Sequence, residues 1–232
     1  MRCLKRVLTK LALVCNECLT WSCDCIATYL FLAQTLTNIM SHQYRVRNPE
    51  EIYFVTFTIV DWVDIFIRPV YKQLIIDSLS YCCQNKGLDL HAYCLMTNHL
   101  HLLAVARHPD KLPDIIRDFK KHTNKQIISL IEQENESRRD WMLYRFKYHA
   151  KYNHRIKDYK VWQDGYHGIA CDNPKILMQK LDYIHNNPVT AEIVAEPEHY
   201  LHSSASNYAG QKGLIDIDLL DLGFYVANAG PG

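Results

Sequence analysis

The chain lacks any run of about 20 apolar residues, the length a helix needs to cross a bilayer, so a membrane-spanning anchor is not expected. Glycine is scarce, at 8 of 232 residues, and none gather into a loop that could cradle phosphates. Internal repeats and low-complexity linkers are missing as well, which argues against nucleotide-hydrolysing motors and repeat arrays. Charge of one sign is absent overall. The formal net charge is +1, so affinity for a polyanion would have to come from local clustering.

Cysteine is not lacking, yet its nine residues do not describe a disulfide framework. Cys3, Cys15, Cys18, Cys23 and Cys25 crowd into the first 25 residues, where C-x2-C-x4-C-x-C falls short of two matched zinc knuckles. Cys82, Cys83, Cys94 and Cys171 lie scattered in apolar or mixed surroundings and read as reduced thiols of a cytoplasmic protein.

What is present begins with an odd N-terminus. Arg2, Lys5, Arg6 and Lys10 precede short apolar runs at 11–14 and 26–36, a pattern that mimics a signal peptide. Asn16, Glu17 and Asp24 interrupt it, and no small-x-small cleavage site follows. Residues 1–39 therefore read as an extension upstream of a true start at Met40, with a single domain over 40–213 and a tail over 214–232.

Residues 52–60 are β-branched and aromatic and predict a central strand. Pro69 opens a helix whose apolar residues recur at three and four spacings until Gly87. Residues 88–96 and 101–106 predict an antiparallel pair joined through Thr97, Asn98 and His99. A long amphipathic helix follows over 112–134, then an aromatic and basic stretch whose secondary structure stays open. A short strand lies within 161–171. Asn173-Pro174 opens a last helix, and Asn187 before Pro188 reads as its stop, with Tyr183 on the apolar side as a core residue. The order strand, helix, strand, strand, helix, strand predicts an α+β, ferredoxin-like (RRM-like) antiparallel sheet with helices packed on one face. Its other face would then be free for a ligand.

Two features carry chemistry. From Arg117 to Lys160, twelve Lys or Arg outnumber six Asp or Glu, with Trp141, Tyr144, Phe146, Tyr148, Tyr152 and Tyr159 interleaved. Basic residues neutralise phosphates and aromatic rings stack on bases, so this is the candidate nucleic-acid surface. Secondly, His99 and His101 stand at i and i+2, where strand geometry points both imidazoles to one face around a core Leu100. Two adjacent imidazoles can share a divalent cation.

The run from Cys94 to Leu103, with its His-Leu-His, resembles the His-hydrophobe-His signature of the single-tyrosine transposases, of IS200/IS605 kind. Leu181-Asp182-Tyr183-Ile184-His185-Asn186-Asn187-Pro188-Val189, with Pro197, Tyr200, Ser203 and Ser204, resembles the C-terminal block of the repeat-associated tyrosine branch. The resemblance spans about residues 44–213. It implies binding of single-stranded or hairpin DNA, and metal-dependent cleavage and rejoining through a tyrosine, with Mg2+ or Mn2+ at the scissile phosphate. It also implies a tyrosine on the helix after the histidine strand and a polar ligand one turn later. On the 112–134 helix that places Gln126 as third metal ligand beside His99 and His101, with Lys120, Lys121 and Lys125 as phosphate contacts.

At the tyrosine position stands His122. Three readings follow: His122 is itself the nucleophile, a tyrosine such as Tyr144, Tyr148 or Tyr152 is delivered to the site, or cleavage is lost and a DNA- or RNA-binding module remains. A hydrolase using His99, His101 and Gln126 without a covalent step is a further class. A cytoplasmic monomer or homodimer without membrane contact completes the expectation.

Overall fold

The computed structural model describes Asn48, residues 50–151, residues 158–221 and Gly223, all within one compact unit spanning 44–232. The extension over 1–39, the start at Met40, the N-terminal cysteine cluster and Tyr152 lie outside the described residues.

Four strands, β1 (Tyr53–Thr58), β2 (Leu88–Leu95), β3 (His99–Ala106) and β4 (His167–Ala170), form one antiparallel sheet in the order β2-β3-β1-β4. This is the ferredoxin-like arrangement the sequence predicts. On one face lie α1 (Pro69–Asn85), α2 (Leu112–Gln133) and α3 (Arg139–Ala150). Val55 and Phe57 of β1 and Leu100, Leu102 and Ala104 of β3 enter the same buried cluster as Ile75, Leu79, Phe119, Ile127 and Phe146 from those helices. The α2 periodicity is realised directly, since Ile115, Ile116, Phe119, Thr123, Ile127 and Ile131 are all buried. The stretch left open becomes α3, which buries Met142, Phe146 and Ala150.

The second face is not wholly free. Helix α4 (Pro174–Thr190) crosses it, and Leu177, Leu181 and Ile184 pack on Phe54, Ala92, Cys94 and Leu103. Asn173 caps α4 by accepting a hydrogen bond from the Ile176 N–H, and Pro174 occupies its first turn. The expected stop at Asn187-Pro188 does not occur: α4 runs on to Thr190 with Pro188 buried inside it. Proline forfeits one backbone hydrogen bond there, and burial of its ring against the sheet side offsets part of that loss.

A register shift between Leu90 and Ala92 inserts one extra residue into β2, so Leu88 and Leu90 but then Tyr93 and Leu95 face the large core. The outer edge of β2 is closed by the C-terminal segment. Leu95 N–H donates to the His202 carbonyl, Ser204 N–H to the Tyr93 carbonyl, and Tyr200 Oη–H to the Leu95 carbonyl. Residues read as a tail join in, since Ile215 and Leu220 are buried and Asp218 N–H donates to the Leu90 carbonyl. The four described cysteines are free thiols, Cys82 and Cys94 buried, Cys83 and Cys171 partly so. No helix among the described residues is long and apolar enough to cross a membrane.

Candidate metal and nucleophile site

Strand β3 alternates, so Leu100 drops into the core while His99 and His101 emerge on the α4 face. Their ring centroids are 4.7 Å apart, and His101 is only 3% exposed. Burial holds His99 below the ordinary histidine range. The same burial, reinforced by neighbouring His99 and Lys180, pushes His101 down to about 3. Both rings are therefore neutral at pH 7 and can offer a lone pair.

Which nitrogen offers it is set by the surrounding hydrogen bonds. Asn98 Nδ2 donates to the Trp62 carbonyl at 3.1 Å, which turns Asn98 Oδ1 toward His99 Nδ1 at 2.6 Å. An amide oxygen can only accept, so the proton sits on His99 Nδ1 and Nε2 is left as the acceptor. At His101, Asn187 Nδ2 lies 3.2 Å from Nε2 and Thr56 Oγ1 lies 2.8 Å from Nδ1. An amide N–H donating to Nε2 of a neutral ring requires the proton on Nδ1, which donates to Thr56. Thr56 is the direct cross-strand partner of His101. Both histidines thus present Nε2 lone pairs, each held by an oxygen behind it, as metal-binding imidazoles generally are.

Helix α4 supplies the rest. Tyr183 is 50% exposed, its ring centroid 5.2 Å from that of His101 and 5.8 Å from that of Phe54. Asn187 follows one turn later on the same side. Lys180, one turn before Tyr183, lies 4.9 Å above the Phe54 ring and 5.9 Å from the Tyr183 ring. Tyr183 is thus no core residue, because the apolar stripe of α4 runs through Leu177, Leu181 and Ile184 and leaves the phenol at its margin. Among the described residues no three His, Cys, Asp or Glu side chains converge, and here the third group beside the two imidazoles is an amide. The Asn187 side chain, turned over, offers its oxygen where the amide nitrogen now stands, so the set fits a divalent cation with nitrogen and oxygen ligands.

The residues placed on α2 from sequence are not brought to the histidine pair. His122 is exposed and borders a cavity of about 460 Å³ between α1 and α2, with Leu74, Asp77, Tyr81, Lys86 and Asp118. Gln126 is half-buried on the same helix, and α2 packs on the sheet face opposite His99 and His101. Lys120 is engaged internally: its Nζ donates to the carbonyls of Gln163 and Gly165, both at 2.7 Å, and burial lowers it to about 8. Lys121 and Lys125 are exposed. Tyr144 and Tyr148 project from the solvent side of α3.

Residues 55–152 match the family model described as transposase, IS200-like. That stretch is similar to the IS200-like transposases. The match covers β1 to β3 and α1 to α3 and includes His99 and His101, while α4 with Tyr183 and Asn187 lies beyond it. The fold is similar to that of a REP-associated tyrosine transposase bound to a REP hairpin, at a TM-score of 0.53 and 16% identity over 76% of this chain and 92% of that one. A Deinococcus radiodurans R1 protein described as a transposase aligns at a TM-score of 0.37 and 19% identity, over 58% of this chain and 88% of that one. No curated protein matches the sequence.

Tyr183 and Asn187 on α4 share the one-turn spacing expected for α2, and they lie inside the C-terminal block that carries the resemblance.

Proposed function

We propose that this chain is an IS200-like transposase that binds single-stranded or hairpin DNA and cleaves and rejoins it, with Tyr183 as the nucleophile and Mg2+ or Mn2+ held by His99, His101 and Asn187. The observation that carries this reading is one helix face. Tyr183 and Asn187 both meet His101, the phenol by its ring and the amide by a hydrogen bond. The phenol and the three nitrogen or oxygen groups that this reading requires lie on β3 and α4 of a single chain.

In the proposed reaction the Tyr183 oxygen attacks phosphorus. A phosphotyrosine bond forms, and the bond to the leaving strand breaks with its electron pair going to the departing oxygen, which ends as a hydroxyl. Attack by a strand hydroxyl reverses the step and rejoins the DNA, so the phosphoryl bond energy is conserved. A bound divalent cation would offset the charge developing on the phosphoryl oxygens. Lys180 adds a fixed positive charge beside the phenol. On the other side of the sheet, the outer side of α3, with Trp141, Tyr144, Lys147, Tyr148 and Lys151 exposed, offers a separate surface for bases and phosphates, and Lys121 and Lys125 add charge on α2.

The test is incubation of the protein with end-labelled hairpin oligonucleotides and Mn2+, read as a denaturant-resistant protein–DNA adduct. The parent and His122→Ala form the adduct, while Tyr183→Phe, His99→Ala and Asn187→Ala fall to background. An adduct that survives in Tyr183→Phe and disappears in His122→Ala would transfer the nucleophile to α2. Cleavage without an adduct would point to the hydrolase class, and binding without cleavage to a DNA-binding module.

A further inference from the structure

Beside the histidine pair lies a tryptophan that the proposed chemistry does not use. Trp62 is 62% exposed, more than Trp141 and far more than the buried Trp162. Exposing an indole forgoes the burial that tryptophan normally gains. Its backbone is also unusual. Asp61 and Trp62 are consecutive non-glycine residues at φ 52° and 55°, in the left-handed region where a β-carbon is crowded. Such a conformation persists only where surrounding contacts impose it.

Those contacts are visible on both sides. Arg145 of α3 forms an ion pair with Asp61 Oδ2, and His149 Nε2, one turn along, lies 2.7 Å from Asp61 Oδ1. On the other side the Trp62 carbonyl accepts from Asn98 Nδ2, the same amide whose oxygen orients His99. The indole stands edge-on to the His99 ring, with centroids 6.2 Å apart and planes at 71°. The turn is therefore held rigidly against the element that carries the metal candidates, and its product is an aromatic face open to solvent.

We infer that Trp62 is a stacking platform for a nucleobase adjacent to the phosphate that the histidine site engages, so that base and phosphate are positioned together. The inference rests on the DNA-processing reading of the site and adds a contact on this chain that sets how a nucleotide is seated. A π-face accepts any base, so the contact favours unpaired nucleotides over bare backbone without reading sequence.

The test uses the whole protein with a 12-nucleotide thymidine strand and a 12-nucleotide abasic strand carrying the same phosphates, read by tryptophan fluorescence and by anisotropy of labelled strands. The parent prefers the thymidine strand by about tenfold, and its emission is quenched on binding. In a Trp141→Phe background, which removes the other exposed described indole, Trp62→Ala loses the quenching and most of the thymidine preference, and Trp62→Phe restores the preference. Trp62→Asn, a residue that tolerates positive φ, behaves as the alanine variant with an unchanged Tm, which separates stacking from a damaged turn. If the parent forms the Tyr183 adduct but Trp62→Ala keeps the full thymidine preference, the stacking role is overturned and the site reading stands. If the preference depends on Trp62 but no adduct forms on any hairpin, stacking is upheld and strand cleavage is not. If the parent shows no preference for bases over the abasic strand, stacking is overturned outright.

Discussion

At the scale of single residues, the site depends on hydrogen bonds that fix which imidazole nitrogen faces outward. Thr56 is the clearest lever because it receives the His101 Nδ1 proton from the adjacent strand. Thr56→Val keeps the shape and removes the acceptor. Affinity for Mn2+, measured calorimetrically, should fall about 10- to 100-fold, with Thr56→Ser restoring it. Unchanged affinity in the valine variant would mean that His101 needs no support to face the cation. His99 and His101 were legible from their i, i+2 spacing because a strand projects alternate residues to one side. Tyr183 and Asn187 were harder to read because an apolar period on a helix defines a stripe, and a residue at its margin satisfies the pattern whether buried or not. Tyr183 counted as apolar, and Asn187 looked like punctuation before Pro188.

At the scale of elements, β3 joins core and site in one strand. Leu100 is fully buried between the two histidines, so Leu100→Ala should cost about 2–5 kcal/mol in chemical denaturation, the ordinary range for emptying a core position. A loss under about 1 kcal/mol would show that the strand collapses into the space and that the histidines are less firmly held than their geometry implies. The Asn173 cap makes a smaller claim: Asn173→Ala should cost about 1 kcal/mol through the start of α4. The elements themselves were mostly readable, with α1 and α2 showing clear 3.6-residue periods. The bulge in β2 was not, because one inserted residue reverses which side chains face inward and blurs alternation into a continuous apolar run. The crossing of α4 over the second sheet face also escaped the pattern, since amphipathicity says that a helix has a buried side but not which face of a two-sided sheet receives it.

For the whole molecule, the C-terminal segment closes the β2 edge and buries histidines as it does so. His185, whose Nε2 lies 2.9 Å from Ser204 Oγ, is lowered to about 4 by burial, and His202 to about 4 by burial and by Lys72. A group whose folded pKa lies below its unfolded value of about 6.5 stabilises the fold above that value. That stability is lost as pH falls from about 6.5 through 4, because the unfolded chain binds protons the folded chain refuses. Thermal unfolding should therefore show a lower Tm at pH 4.5 than at pH 7.5, and His202→Gln should narrow the difference by its own share, His185 and His101 keeping the rest. A Tm that held level between those values would mean that these rings find water or a partner when protonated.

Helix α4 carries the proposed nucleophile and one proposed cation ligand a single turn apart, and it continues unbroken past Pro188. A DNA end joined to Tyr183 would be tethered to the same rod that helps grip the ion needed for resealing. The severed end would therefore have little freedom to wander, and any displacement of that rod would disarm cutting and sealing together.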